Sequence, residues 1–261
     1  MSDLLVAGQR LEAEWHGAPP DAAPTLVFLH EGLGSVSAWR DFPTALADAT
    51  GCGALVYSRR GHGRSEPADE ARPVTYMHDE AALLPDVLDA AGVRHAILVG
   101  HSDGGSIAIL HAGSDAARPR LRALILEAPH VFVEDLSVES IARARDAYLD
   151  GDLRARLARH HDDVDGAFWG WNRIWLDPQF RAWNIEGSLP RIRVPALVIQ
   201  GADDPYGTLA QVEAIERQSG GPVERLVLEH CGHAPHRERP AATLAAMVAA
   251  VRRFVAPAVA R

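Results

Sequence analysis

Ser102 lies in GHSDGG (Gly100–Gly105), between a run of apolar residues and an apolar helical pattern. A serine with glycine two residues before it and two after it fits a sharp strand-to-helix turn, where the backbone leaves no room for side chains at those two positions. Such a turn lifts the Ser102 hydroxyl above a sheet. It also places the backbone N–H of Asp103 at a helix N-terminus, facing the place where an anion would develop. The chemistry this suits is attack on a carbonyl. An unassisted hydroxyl is a poor nucleophile, so the reading demands an imidazole to take its proton and a carboxylate to orient that imidazole. The chain offers thirteen histidines.

The elements that must position these groups show in the hydrophobic pattern. The opening LLVAGQRLEAEWHG alternates weakly, as one or two edge strands of a hairpin would. Continuous apolar runs follow at Pro24–His30, Ala54–Ser58, His95–Gly100, Leu121–Ala128, Pro195–Gly201 and Val223–His230. Runs of this kind fit strands buried on both faces of a parallel sheet. Helical patterns separate them, in WRDFPTALADATG, DEAALLPDVLDAAG, GGSIAILHAG and TLAQVEAIERQSG, and AATLAAMVAAVRRFV comes last. The alternation predicts right-handed crossovers and an α/β fold with a mostly parallel central sheet flanked by helices. The rhythm breaks over residues 129–190, a charged, helix-rich stretch holding Trp169, Trp171, Trp175 and Trp183. That stretch predicts a helical cap inserted into a core made of residues 1–128 and 191–261.

Composition narrows the partners. The 261 residues are 47% hydrophobic and 23% charged, ordinary for a globular enzyme, with a net charge of -9. An excess of carboxylates argues against nucleic acid and against an anionic membrane surface. No apolar run approaches the roughly 20 residues needed to span a bilayer. The N-terminal residues lack a basic segment followed by an apolar one. Two cysteines, Cys52 and Cys231, match no metal or redox spacing and point to a reducing compartment. The expectation is a cytoplasmic protein, monomer or homodimer, acting on a small molecule, with no cofactor and no metal.

In their order, the motifs resemble those of the α/β-hydrolase superfamily, along nearly the whole chain. HEGLGS (His30–Ser35) resembles that family's oxyanion loop, SRRGHGRS (Ser58–Ser65) its D-x-R-G-x-G-x-S loop, and GHSDGG its nucleophile elbow. GADDP (Gly201–Pro205) matches the segment bearing the acid, and CGHAPHRERP (Cys231–Pro240) the segment bearing the base. The resemblance implies catalytic Ser102, Asp204 and His233, with His236 as the competing base, better read as a surface residue. Asp203 remains a neighbouring choice of acid, and Glu127 a distant third whose simpler role is a solvated or capping carboxylate. It implies an oxyanion hole of the Gly32 and Asp103 N–H groups, with His30 bracing the loop. Trp169, Trp171 and Trp175 are candidates for lining an acyl site.

Two departures stand out. Glu31 occupies a position where the family usually has glycine, and its side chain is expected to point away from the oxyanion. Ser58 replaces the usual aspartate, and Arg59, Arg60 and Arg64 are expected to brace loops. Haloalkane dehalogenases and epoxide hydrolases of this fold carry aspartate at the elbow, which Ser102 disfavours. C–C hydrolases usually carry tryptophan shortly after the Gly-His pair, where this chain has Ala234, Pro235 and His236. The implied function is a serine hydrolase of a small ester, thioester or lactone, working through an acyl-enzyme. The alternatives are a C–C hydrolase of a diketone-type intermediate and a hydrolase-like ligand receptor with little turnover.

Overall fold

The apolar runs become strands of one sheet. The computed structural model describes residues 3–68, 71–117 and 120–255. β1 (Leu4–Val6) and β2 (Gln9–Leu11) form a separate two-stranded hairpin. Its turn residues Ala7 and Gly8 both have positive φ, 49° and 80°, as the twist of a two-residue hairpin loop demands. β3 (Ala13–Gly17) then runs antiparallel beside β5 (Gly53–Tyr57), at one edge of a seven-stranded sheet. The other strands are parallel: β4 (Thr25–Leu29), β6 (Ala96–His101), β7 (Leu121–Glu127), β8 (Ala196–Gly201) and β9 (Val223–Leu228). The order across the sheet is β3-β5-β4-β6-β7-β8-β9. Strand β6, which leads into Ser102, therefore sits centrally, with β7, β8 and β9 stepping away from it on one side.

Alternation along the strands builds two cores. In β4, Leu26 and Phe28 face one core while Val27 and Leu29 face the other, the two-residue period of a pleated strand. α1 (Phe42–Thr50) and α9 (Pro240–Val255) cover the first face through Leu46 and Met247. α2 (Tyr76–Ala90), α3 (Asp103–Ala112) and α7 (Leu209–Gln218) cover the second through Leu84, Ile107 and Val212. Each of these side chains is fully buried, worth about 2 kcal/mol apiece in area removed from water. Gly51 ends α1 in the left-handed conformation, φ 72°, which a glycine adopts without steric cost.

Between β7 and β8 the chain adds no strand to the sheet. It forms α4 (Asp135–Leu149), α5 (Leu153–Leu157) and α6 (Val164–Trp175), then 3-10 turns at Pro178–Ala182 and Glu186–Arg191. The Asp163 carboxylate accepts the Gly166 N–H and caps α6. α6 buries Val164, Ala167, Phe168, Trp171, Ile174 and Trp175, a stripe at helical spacing. Among the described residues no helix is long and apolar enough to cross a membrane.

Candidate active site

The turn after β6 has the geometry its glycines predicted. Ser102 adopts φ 52°, ψ −117°, a region side chains rarely enter. A Cβ on Gly100 would run into the Gly104 backbone, and a Cβ on Gly104 into the Leu29 carbonyl. The bend thus tolerates glycine alone at both places. Ser102 N–H donates to the Glu127 carbonyl, tying the elbow to β7.

His233 arrives from the loop after β9 and sets Nε2 2.9 Å from the Ser102 hydroxyl. Its Nδ1 lies 2.9 and 2.8 Å from the two carboxylate oxygens of Asp204, which follows β8. Asp204 is itself fixed, accepting the Tyr206 N–H at 2.8 Å and the Gln200 side-chain amide at 2.7 Å. Burial pushes the Asp204 carboxyl up, but His233 and these hydrogen bonds together hold it below the usual carboxylate value. Burial likewise pulls the His233 imidazole down, while Asp204, Glu31 and Asp103 outweigh it and leave the group above its ordinary value. Nδ1–H paired to Asp204 leaves Nε2 as the acceptor for the Ser102 O–H.

The competing candidates fall elsewhere. Asp203 is exposed. Glu127 and His236 make their own pair, Nδ1 to Oε2 at 2.7 Å, with both side chains buried. His236 is therefore not a surface residue, Trp39 and Phe42 closing over its ring. Glu127 is buried rather than solvated, and it does cap: its Oε2 also accepts the His236 N–H at 3.3 Å, in the first turn of the short helix Pro235–Glu238. The hydrogen bond between them partners the two polar groups in the interior. His101 bridges the two histidine regions, its Nε2–H donating to the His233 carbonyl at 2.6 Å.

A cavity of about 280 Å³ opens above Ser102, walled by Leu33, Ile141, Leu157, Trp171, Trp175 and Tyr206. Gly32, Ser102, Asp103 and His233 lie on its floor. Among the described residues, neither the Gly32 nor the Asp103 N–H donates to an acceptor of the fold. Gly32 must be glycine because a Cβ there would overlap the Trp171 indole. The Asp103 side chain turns the other way, accepting from the Tyr76 hydroxyl at 2.6 Å, and Trp175 Nε1–H donates to that hydroxyl in turn. Trp171 and Trp175, one helical turn apart, face the cavity. Trp169 does not line it, being two residues off the stripe. It packs edge-on against Tyr148 and Phe168, with the Arg173 guanidinium 5.5 Å over its ring.

The oxyanion-type loop is braced from beneath. His30 Nε2 accepts the Arg59 N–H at 3.0 Å, so its Nδ1–H donates to the Glu31 carbonyl at 2.7 Å. The buried Arg59 guanidinium donates to the His30 and Glu31 carbonyls. Ser58 accepts the Val36 N–H and donates to Glu12, doing with a hydroxyl what a loop carboxylate would do by charge. Glu31, expected to turn away, instead folds back over its own turn: Oε2 accepts the Leu33 N–H at 2.7 Å, and the carboxylate lines the cavity. The 31–34 turn is closed by Gly34 N–H on the Glu31 carbonyl, and a Cβ on Gly34 would crowd the Glu31 carboxyl folded over it. Sequence reasoning also missed His130, which lines the cavity with its ring 5.8 Å from His233. Burial, then the nearby His233, holds His130 down to about 4, so it is a neutral wall at pH 7.

Known proteins resemble this chain in sequence and in fold. The non-heme chloroperoxidase of Streptomyces lividans is 29% identical over 228 residues, covering 75% of this chain and 80% of that protein. A putative carbamate hydrolase of Pseudomonas savastanoi pv. phaseolicola is 30% identical over 249 residues, 87% of this chain and 93% of its own length. Among solved structures, the enol-lactonase from Burkholderia xenovorans LB400 superposes with a TM-score of 0.72 at 23% identity, over 98% of this chain and 100% of that one. The profile of the alpha/beta hydrolase family matches residues 26–246. The chain belongs to the alpha/beta hydrolase family.

Proposed function

We propose that the protein is a serine hydrolase that opens a small ester, thioester or lactone through an acyl-enzyme on Ser102. The observation that carries the reading is the unbroken hydrogen-bonded line from Ser102 Oγ through His233 to Asp204. In the first step the Ser102 oxygen bonds to the carbonyl carbon while its proton passes to His233 Nε2. Asp204 stabilises the imidazolium. The Gly32 and Asp103 N–H groups receive the negative oxygen, each worth on the order of 3 kcal/mol in the transition state. His233 then gives its proton to the leaving oxygen or sulfur as the carbonyl re-forms. A water, deprotonated by the same imidazole, attacks the acyl carbon and releases the acid, returning the proton to Ser102.

Residues 129–190 act as a cap in this reading, with Trp171 and Trp175 lining the apolar acyl site. The substrate is a small acyl compound. Ser102→Ala is expected to abolish turnover of short p-nitrophenyl esters without unfolding the protein, and a fluorophosphonate is expected to label wild-type Ser102 stoichiometrically. Turnover undiminished in the alanine variant, or no labelling of the wild type, overturns the assignment. Tight binding of a ligand without labelling would indicate a receptor instead.

A further inference from the structure

The cavity above Ser102 holds a carboxylate without a counter-ion. Glu31 immediately precedes Gly32, whose N–H faces the reacting carbonyl in the reading above. The Glu31 side chain is anchored through Oε2 to the Leu33 N–H. Among the described residues no donor reaches Oε1 and no basic side chain comes within ion-pair distance of Glu31, which is half-buried. The remaining polar groups of the cavity do not neutralise it. His130 is neutral at pH 7, the Asp103 carboxylate is turned to Tyr76, and Arg237 stands exposed at the rim. His233 is committed to Asp204 and Ser102.

An unpaired carboxylate there acts on substrates unequally. A neutral acyl group leaves it desolvated, and its charge opposes the negative oxygen forming beside it. An acyl group that brings its own cation removes both penalties, because the cation pairs with the free oxygen of Glu31 and screens the developing oxyanion. Burial raises the Glu31 carboxyl above its ordinary value, against the pull of the Leu33 N–H, His233 and Arg59, and a cation seated beside it would favour the ionised form.

We propose that Glu31 selects substrates whose acyl group carries an ammonium one or two carbons from the scissile carbonyl, such as aminoacyl esters. This deepens the serine-hydrolase reading and rests on it. Leu33, Ile141, Leu153, Leu157, Trp171 and Trp175 give the cavity an apolar side, which suits a hydrophobic remainder on the ester.

The test compares isosteres. Glycine benzyl ester is set against benzyl propionate, and β-alanine benzyl ester against benzyl butyrate, by chromatographic release of benzyl alcohol near pH 7. Wild type is expected to favour at least one amino ester over its neutral isostere by tenfold or more in kcat/KM. Glu31→Gln keeps an oxygen for the Leu33 N–H. It is expected to lose at least tenfold on the amino ester and to gain on the neutral one, collapsing the preference. Stoichiometric fluorophosphonate labelling of the Glu31→Gln protein checks that the serine is still presented. Labelling and turnover with no preference for either amine, or a preference unchanged by Glu31→Gln, overturns this proposal and leaves the serine reading standing. Absence of both labelling and turnover in the wild type rejects the two together.

Discussion

Replacing Ser102 by glycine and by alanine separates the backbone conformation of the elbow from its chemistry. Both changes delete the hydroxyl and with it the same hydrogen bond to His233. They differ by one methyl group on a residue held at φ 52°, ψ −117°. A residue with a Cβ in so sparsely populated a region costs about 1–3 kcal/mol. Glycine escapes that cost but loses about 0.4–1 kcal/mol through the greater freedom of its unfolded chain. The difference favours glycine by roughly 1 kcal/mol, the reverse of the ordinary order at a buried position. For a chain of this size that is a melting temperature about 2–4 °C higher. Scanning calorimetry of the two variants under identical buffer measures it, and neither should turn over ester. An alanine variant that melts at or above the glycine variant would refute the argument, since it would mean the elbow imposes no such conformation.

Further outcomes test the line behind the serine. Asp204→Asn removes a charge facing the imidazolium; at about 4 Å and an effective dielectric near 20 the interaction is about 4 kcal/mol, so kcat should fall by about 10³. A loss under tenfold would assign the orienting role elsewhere. His233 must be neutral to accept the serine proton, and burial lowers its value less than Asp204, Glu31 and Asp103 raise it. The acid limb of kcat/KM is therefore expected above 6.5, activity falling as pH drops through it, and Glu31→Gln should move it down. A limb below 6.5 contradicts this balance. Glu127→Ala strands the buried His236 and should destabilise the fold by about 3 kcal/mol in urea. Ser102 labelling should persist below the transition. An unchanged urea midpoint would show that the pair supports nothing.

The parts of the site that could be read from sequence are the ones fixed locally. Gly100 and Gly104 constrain a turn of five residues, and the apolar runs on either side determine what that turn joins. Asp204 and His233 were placed by resemblance to loops after particular strands, and the sheet order brings those loops to Ser102. What escaped depended on contacts between distant segments. The burial of His236 and Glu127 arises because α8 (Pro235–Glu238) folds beneath Trp39 and Phe42, nearly two hundred residues earlier in the chain. Trp169 shares its helix with Trp171 and Trp175, and only the helix's rotation about its axis decides which indoles meet the cavity. Glu31 was misplaced because the four-residue turn 31–34 folds its side chain back onto the Leu33 N–H.

The line between Ser102 and His233 spans 131 residues of sequence, and Asp204 reaches it from a strand two places away from β6 across the sheet. Collapse of the early strands around α3 can form the bend and bury its surroundings while the serine still lacks an accepting nitrogen. Only when β8 and β9 have added to the growing sheet does the imidazole swing into register. Recovery of hydrolysis after dilution from denaturant therefore times the docking of the last strand, and should lag any probe of compaction, as contacts of long separation form late.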